Sequence, residues 1–496
     1  MENQETFLGH PKGLFILFFT EMWERFSYYG MRAILVLYII ADASGDHPGL
    51  GWSNGEALAL YGWYTMLVYV ASIPGGILAD RVFGQKKSVL IGGLLLCLGH
   101  GTLAIDHINA FMAGLLLIVM GVGMLKPNIS TMVGGLYSEG DERRDKGFSI
   151  FYIGINIGAA AASIIVGLVA AKWGWHYGFG LAGIGMAFGQ VIYMSGQKHL
   201  TEVGNKPANV SDPNDVGIGD LFQGLLKAPK QLVITGVLMA LSTYILVAKD
   251  TGYGLLFMFL SLVTGMMMMI YQDINKIEKD RYVVLLLSFI LVIIFWGAFE
   301  QAGGLMNIYT EEKTNRMVFG MEFPAAIMQA FNPIYIILLG VPIAAFWHKW
   351  KMMGKEASSL FKMLIGLIIM GSGFLFMSAA SLEYERVGES ALIWLALAYF
   401  FHTIGELCAS PVALSFITKV APLKYASLMM GVYFAATGLG NKVAGFLGES
   451  AGEFGELSIF TGITIFCVSF GLVVWLMLKP LKRLTHGAED LVEEPA

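Results

Sequence analysis

The chain has 496 residues, enough for about three soluble domains. Yet 56% of them are hydrophobic and only 14% charged, with 33 Phe and 28 Met. That excludes a soluble globular protein and predicts a polytopic membrane protein; the net charge of −5 decides little, because the placement of charge matters more than its sum.

Apolar stretches of spanning length fall at about 14–41, 57–80, 87–105, 109–133, 148–171, 176–195, 231–248, 253–271, 282–305, 323–347, 360–380, 391–418, 426–447 and 458–478. They predict an all-α fold of about fourteen transmembrane helices. The first run is too long for a cleaved signal peptide and no small-residue cleavage site follows it, so it is expected to stay. The one long polar interruption before the tail, Gln197 to Pro229, contains KPANVSDPND and reads as a linker. Lys and Arg crowd alternate loops, for example Arg143, Arg144 and Lys146, or Lys276, Lys279 and Arg281. The positive-inside bias makes those loops cytoplasmic and puts both termini inside, as an even helix count requires. Cys97, Cys408 and Cys467 lie in apolar runs without CxxC spacing and are expected to be buried thiols, neither bridged nor metal-bound.

The first apolar run carries EMWERFSYYGMR, with Glu21, Glu24, Arg25 and Arg32 inside it. A charge facing lipid near the bilayer centre costs roughly 2.5–3.5 kcal/mol, so four would cost on the order of 10 kcal/mol. They must pair or face a polar cavity. At about 100° per residue they share one side of the helix with Tyr28 and Tyr29, and Glu21 and Arg25 stand at i,i+4, where pairing is favoured. A buried ion pair between helices would explain Glu21 and Arg25 alone. The whole cluster points to a wet site for a polar solute.

After the second run comes GGILADRVFGQKKS. Its glycines permit close helix approach, and Asp80, Arg81, Lys86 and Lys87 can form a charge network at the cytoplasmic face; a generic positive-inside turn would explain the charges, but the spacing resembles the facilitator loop motif, which implies a conformational latch rather than a substrate contact. Lys126, in VGMLKPNIS, lies in mid-membrane beside Pro127 and needs a carboxylate partner unless it snorkels. FYIGINIG puts Tyr152 and Asn156 on one face, the amide suited to a peptide-like group or equally to joining helices. FWGAFEQAGG sets Trp296 one turn from Glu300, an acid among apolar side chains that a cation such as Lys126 would equip for proton exchange. HTIGELCASPVALS carries Glu406, with Ser410 one turn on and Pro411 as a hinge, and Asn332 precedes Pro333 beside a break in the backbone ladder. The buried cations thus lie in the first half and the acids Glu300 and Glu406 in the second. A cavity cationic on one wall and anionic on the other suits a short zwitterion, with Tyr28, Tyr29, Tyr69, Tyr152 and Trp296 as adaptable pockets for variable side chains.

Six helices, a linker, two helices and six more resemble the plan of major facilitator transporters with an extra hairpin near 231–271. ExxERFxYYG, FYxxINxG and GELxxSP together resemble the proton-dependent oligopeptide transporter family over nearly the whole chain. The resemblance implies a major facilitator fold: one six-helix bundle at 1–200, the linker and hairpin at 201–280, a second bundle at 281–480 and a tail at 481–496. It implies alternating access and uptake of di- and tripeptides with protons across a bacterial cytoplasmic membrane. Residue by residue, it places Glu21, Glu24 and Arg25 in a proton-coupling network, with Glu300 switching to and from Lys126. Arg32 and Lys126 would bind the peptide carboxylate, Asn156 and Asn332 its backbone or amine, and Glu406 with Ser410 its amino terminus. Tyr69 matches the family's second-helix tyrosine, with Tyr61 and Tyr64 nearby. The second-helix histidine of animal members is absent, and His100 and His402 are expected to be structural, which leaves proton coupling to carboxylates. The implied partners are peptides, protons and the lipid bilayer, without cofactor, metal or nucleic acid.

Rival classes fit less well. An anion symporter resembling plant relatives would not need the intact ExxER pattern, and a proton/drug antiporter would not need cations on the facing wall. There is no HExxH, no GxSxG at a helix start and no paired aspartates at catalytic spacing to suggest an intramembrane enzyme. A gated channel would not need two halves with an acid on each side.

Overall fold

A computed structural model describes residues 6–138, 141, 143–200, 203–205 and 218–488. The turn-rich stretch 206–217 and the tail beyond 488, both expected from sequence as linker and tail, lie outside the described residues. Fourteen long helices run along the described chain: α1 (Lys12–Ile40), α2 (Asn54–Phe83), α3 (Gln85–Leu103), α4 (Ile108–Gly135), α5 (Arg143–Trp173), α6 (Trp175–Ser195), α7 (Pro229–Ala248), α8 (Thr251–Asp273), α9 (Lys276–Lys313), α10 (Ala325–Met352), α11 (Ser359–Val387), α12 (Leu392–Val420), α13 (Ala426–Phe454) and α14 (Glu456–Leu476). Eleven of these are long and apolar enough to cross a membrane. The other three, α1, α3 and α13, are of comparable length, and α1 owes its difference to its four charges.

The helix ends follow from local chemistry. Ser53 and Glu56 close a reciprocal capping box at the start of α2, and the Asp250 carboxylate accepts from Tyr253 N at 2.8 Å at the start of α8. α9 is interrupted where function would want it: the α-helix ends at Phe299, Glu300–Ala302 form a tight ₃₁₀ turn, and α-helix resumes at Leu305 after two glycines. Consecutive glycines weaken a helix because they hold its backbone loosely, and short 3₁₀ stretches mark such breaks. The break near Asn332 lies elsewhere than expected. Pro333 sits in the first turn of the Phe331–Met352 stretch, where no ladder bond is lost, and the chain turns before it, at Gln329 and Ala330.

The helices belong to two compact units, Met1–Ala208 with Ile290–Ala413 and Tyr433–Leu476, and Asn209–Phe289 with Leu414–Val432 and Met477–Ala496. In the first, α1 lies against α5 and α6, α3 against α4, and α11 against α14. Bare glycine surfaces set several of these approaches. Pro127 has no N–H to bond the Gly123 carbonyl, and that freed oxygen would lie 2.0 Å from a Cβ built on Gly75. Gly76, its neighbour, faces open space. Gly75→Ala is therefore expected to lower the melting temperature in detergent, at a cost of about 1–3 kcal/mol, while Gly76→Ala is tolerated; equal melting of the two variants would refute the packing role. In the second unit, α7 and α8 pair through Ser242 and Ser261 (Oγ–Oγ 3.2 Å), and Asp273 at the end of α8 binds Lys424 and Tyr425, each at 2.6 Å.

Candidate functional site

Within the first unit a cavity opens among α1, α2, α5, α9, α10 and α12. Nine of the fourteen residues singled out from sequence line it: Tyr29, Arg32, Tyr69, Tyr152, Asn156, Trp296, Glu300, Asn332 and Glu406. They come from positions up to 377 residues apart, each delivered by the inward stripe of a long helix. Ser163, Gln329 and Tyr399 also line it and carried no motif that would have revealed them.

The other five lie outside the lining. Glu21, Glu24 and Arg25 form a dry cluster: Arg25 Nε stands 2.9 Å from Glu21 Oε1 and 2.5 Å from Glu24 Oε2, all three being at least 96% buried. The wet-site expectation therefore holds for the far half of the α1 face, Tyr28, Tyr29 and Arg32, and is corrected for the near half. The physical reason is that the Arg25 guanidinium stands beside both acids and offsets their charge within α1, so the cluster is held by local ion pairing rather than by facing the cavity. Arg25 also lies 5.9 Å from the Tyr29 ring centre, and Arg32 lies 4.9 Å from the same ring, so one tyrosine spaces two cations.

Lys126 stands over the Tyr69 ring, its Nζ 3.9 Å from the centre, instead of against a carboxylate. The carboxylate expected beside it, Glu300, is engaged elsewhere: Arg32 Nη1 donates to Glu300 Oε1 at 2.8 Å, and the Tyr61 hydroxyl donates to the same oxygen at 2.5 Å. Arg32 wins because it rises from α1 directly opposite the ₃₁₀ turn that displays Glu300, and a buried carboxylate keeps whichever cation can reach it. Tyr61 went unrecognised in the sequence. Its signal was the Gly303–Gly304 pair beside Glu300, which leaves room for a bulky group to approach.

On the second-half wall, Asn332 Nδ2 donates to Glu406 Oε2 at 2.8 Å and to Thr403 Oγ1 at 3.1 Å. That holds the Glu406 carboxylate, 9% exposed, toward the cavity with its other oxygen uncommitted among the described residues. Asn156 Nδ2 donates to Tyr152 O at 2.9 Å on its own helix, which leaves its carbonyl oxygen as the group available to a ligand. Ser410 lines a separate, mostly apolar pocket behind Trp296, with Phe295, Met363 and Tyr433. His402 is buried against Phe374, ring centres 4.4 Å apart, and His100 is fully buried; neither lines the cavity.

The arrangement has a cation on one wall, a hydrogen-bonded acid on the other and aromatic sides. It can hold a short solute with opposite charges at its ends.

Comparison with known proteins agrees with this architecture. A family model described as the POT family matches residues 86–456. The di-/tripeptide transporter of Lactococcus lactis subsp. cremoris is 34% identical over 97% of this chain and 98% of its own, and the uncharacterized transporter YclF of Bacillus subtilis is 35% identical over 98% and 97%. A crystal structure of a peptide transporter POT in complex with alafosfalin superposes with a TM-score of 0.83 at 35% identity, covering 97% of both chains. Fold, span and family model point the same way: this chain is a multi-pass membrane transporter with the major facilitator fold and belongs to the POT family.

Proposed function

We propose that the protein imports di- and tripeptides together with protons by alternating access, across a bacterial cytoplasmic membrane with both termini inside. The first bundle would be residues 1–200 and the second 281–480, joined by the linker and hairpin of 201–280 and followed by the tail 481–496. The observation that carries this reading is one cavity with Arg32 on one wall and the Asn332–Glu406 pair on the other. A peptide lies across it, carboxylate toward Arg32 and amine toward Glu406, its backbone meeting Asn156 and Asn332.

Arg32 spends one N–H on Glu300, and its Nε has no protein partner among the described residues, so donors remain for a second carboxylate. Lys126 joins the peptide carboxylate, or takes Glu300 over from Arg32, only by leaving the Tyr69 ring. Protonation of Glu300 releases Arg32 and so ties proton uptake to peptide capture, while the Glu21–Glu24–Arg25 cluster supplies further acids on the same helix. Tyr29, Tyr69, Tyr152 and Trp296 tolerate varied side chains, and Ser410 acts with Glu406 through the pocket behind Trp296.

In proteoliposomes with an acidic exterior, labelled dialanine is expected to accumulate against its gradient, and a protonophore is expected to abolish the accumulation. Unchanged accumulation with the protonophore present would rule out proton symport. A competition series with blocked amino or carboxyl termini tests the two walls separately.

A further inference from the structure

We propose that Tyr61 is a positioning residue for transport: its hydroxyl, admitted by Gly303, locks the ₃₁₀ break of α9 against α1 and α2 by co-anchoring Glu300. The inference rests on the role given to Glu300 above and assigns a partner that no sequence motif marks.

The geometry is specific. Glu300 Oε1 accepts from Arg32 Nη1 at 2.8 Å and from the Tyr61 hydroxyl at 2.5 Å, so α1 and α2 grip one oxygen of α9 together. Tyr61 is 1% exposed, which keeps water from replacing its hydroxyl. A Cβ built on Gly303 would lie 2.0 Å from the Tyr61 hydroxyl oxygen and 2.9 Å from the ring carbon that bears it. Only a glycine next to the turn lets the ring reach so far under it. The backbone that carries the ring is held: Thr65 Oγ1 donates to the Tyr61 carbonyl one turn on, and Gly62, the adjacent residue, packs directly on Gly445 of α13.

Tyr61 does not line the cavity, so it touches no bound peptide. Its contribution is to the closing of α9 onto α1 and α2, which must form and break in each transport cycle. A neutral phenol differs from Arg32 here. Arg32 loses the ionic part of its hold on Glu300 when the acid is protonated, whereas a neutral hydroxyl donates to the acid in either protonation state. Tyr61 thus keeps Glu300 aimed at Arg32 while the ion pair is broken, and the pair re-forms without a search.

The test is kinetic. Tyr61→Phe is expected to lower the maximal rate of proton-driven dialanine uptake about tenfold, the effect of one hydrogen bond to a charged group, with the KM unchanged. In a Glu300→Ala background, where the oxygen it donates to is gone, the same substitution is expected to slow the residual exchange no further. An unchanged maximal rate, a raised KM, or a fully additive loss in the double variant would each overturn the proposal. Gly303→Ala, which pushes the hydroxyl away without removing it, is the second variant should Tyr61→Phe fold poorly. It is expected to reproduce the fall in rate and to lose most of its effect when combined with Tyr61→Phe. If instead wild-type uptake ignores a protonophore and Glu300→Gln behaves as wild type, the coupling role of Glu300 fails on its own, separately from this inference.

Discussion

Glu300→Gln is expected to keep exchange of unlabelled for labelled peptide while abolishing accumulation driven by a proton gradient. The amide has nearly the size of the acid and can still accept from Arg32 and from Tyr61, which both reach Glu300 Oε1. The closed contact can therefore form, and the cavity it borders stays intact. What the amide cannot do is gain and lose a proton. A gradient of one pH unit supplies ~1.4 kcal/mol per proton, worth about tenfold accumulation of a co-transported solute. The variant should reach only equal concentrations inside and out, whatever the gradient. Measuring internal dialanine at an exterior pH one to two units below the interior decides it, and accumulation beyond equality would remove Glu300 from the coupling step.

The sequence made some of this plain. Four charges in an apolar run could not face lipid, and the i,i+4 spacing of Glu21 and Arg25 already contained their 2.9 Å pair. The helix count followed from run lengths of about 20 residues, which the bilayer imposes. What sequence could not say is which of the charges on α1 would be dry. That depends on the helices laid against it: a Cβ on Gly158 of α5 would lie 2.2 Å from Met22 O, so α5 seals the near half of the face and leaves Arg32 beyond the seal. The partner of Lys126 was hidden for a similar reason. A mid-membrane lysine needs a counter-group, but a tyrosine ring serves as one, and three tyrosines at 61, 64 and 69 of α2 look alike until the helix is rotated into place. Rotation sends Tyr69 to Lys126 and Tyr61 to Glu300. The break in α9 was half legible, in Gly303 and Gly304, but not which side chain it was making room for.

Arg32→Ala is expected to fail in two separable ways. The first is binding. If Arg32 holds the peptide carboxylate through charge-assisted bonds, its loss weakens dialanine binding about 10- to 100-fold, the effect of roughly 1.5–3 kcal/mol. A dipeptide whose carboxylate is amidated should bind wild type more weakly and the variant no worse than the free acid, so the preference for a free carboxylate disappears. The second is stability. Glu300, 4% exposed, would be left buried without its cation, which costs about 3–5 kcal/mol, more than the pair itself contributes. Arg32→Ala should therefore melt well below wild type, and adding Glu300→Gln should restore most of the melting temperature by removing the stranded charge. It should not restore binding, because the amide brings back no cation for the peptide. That split separates a clamp from a strut: recovery of affinity in the double variant, or full affinity in Arg32→Ala alone, would make Arg32 a structural partner of Glu300 and nothing more.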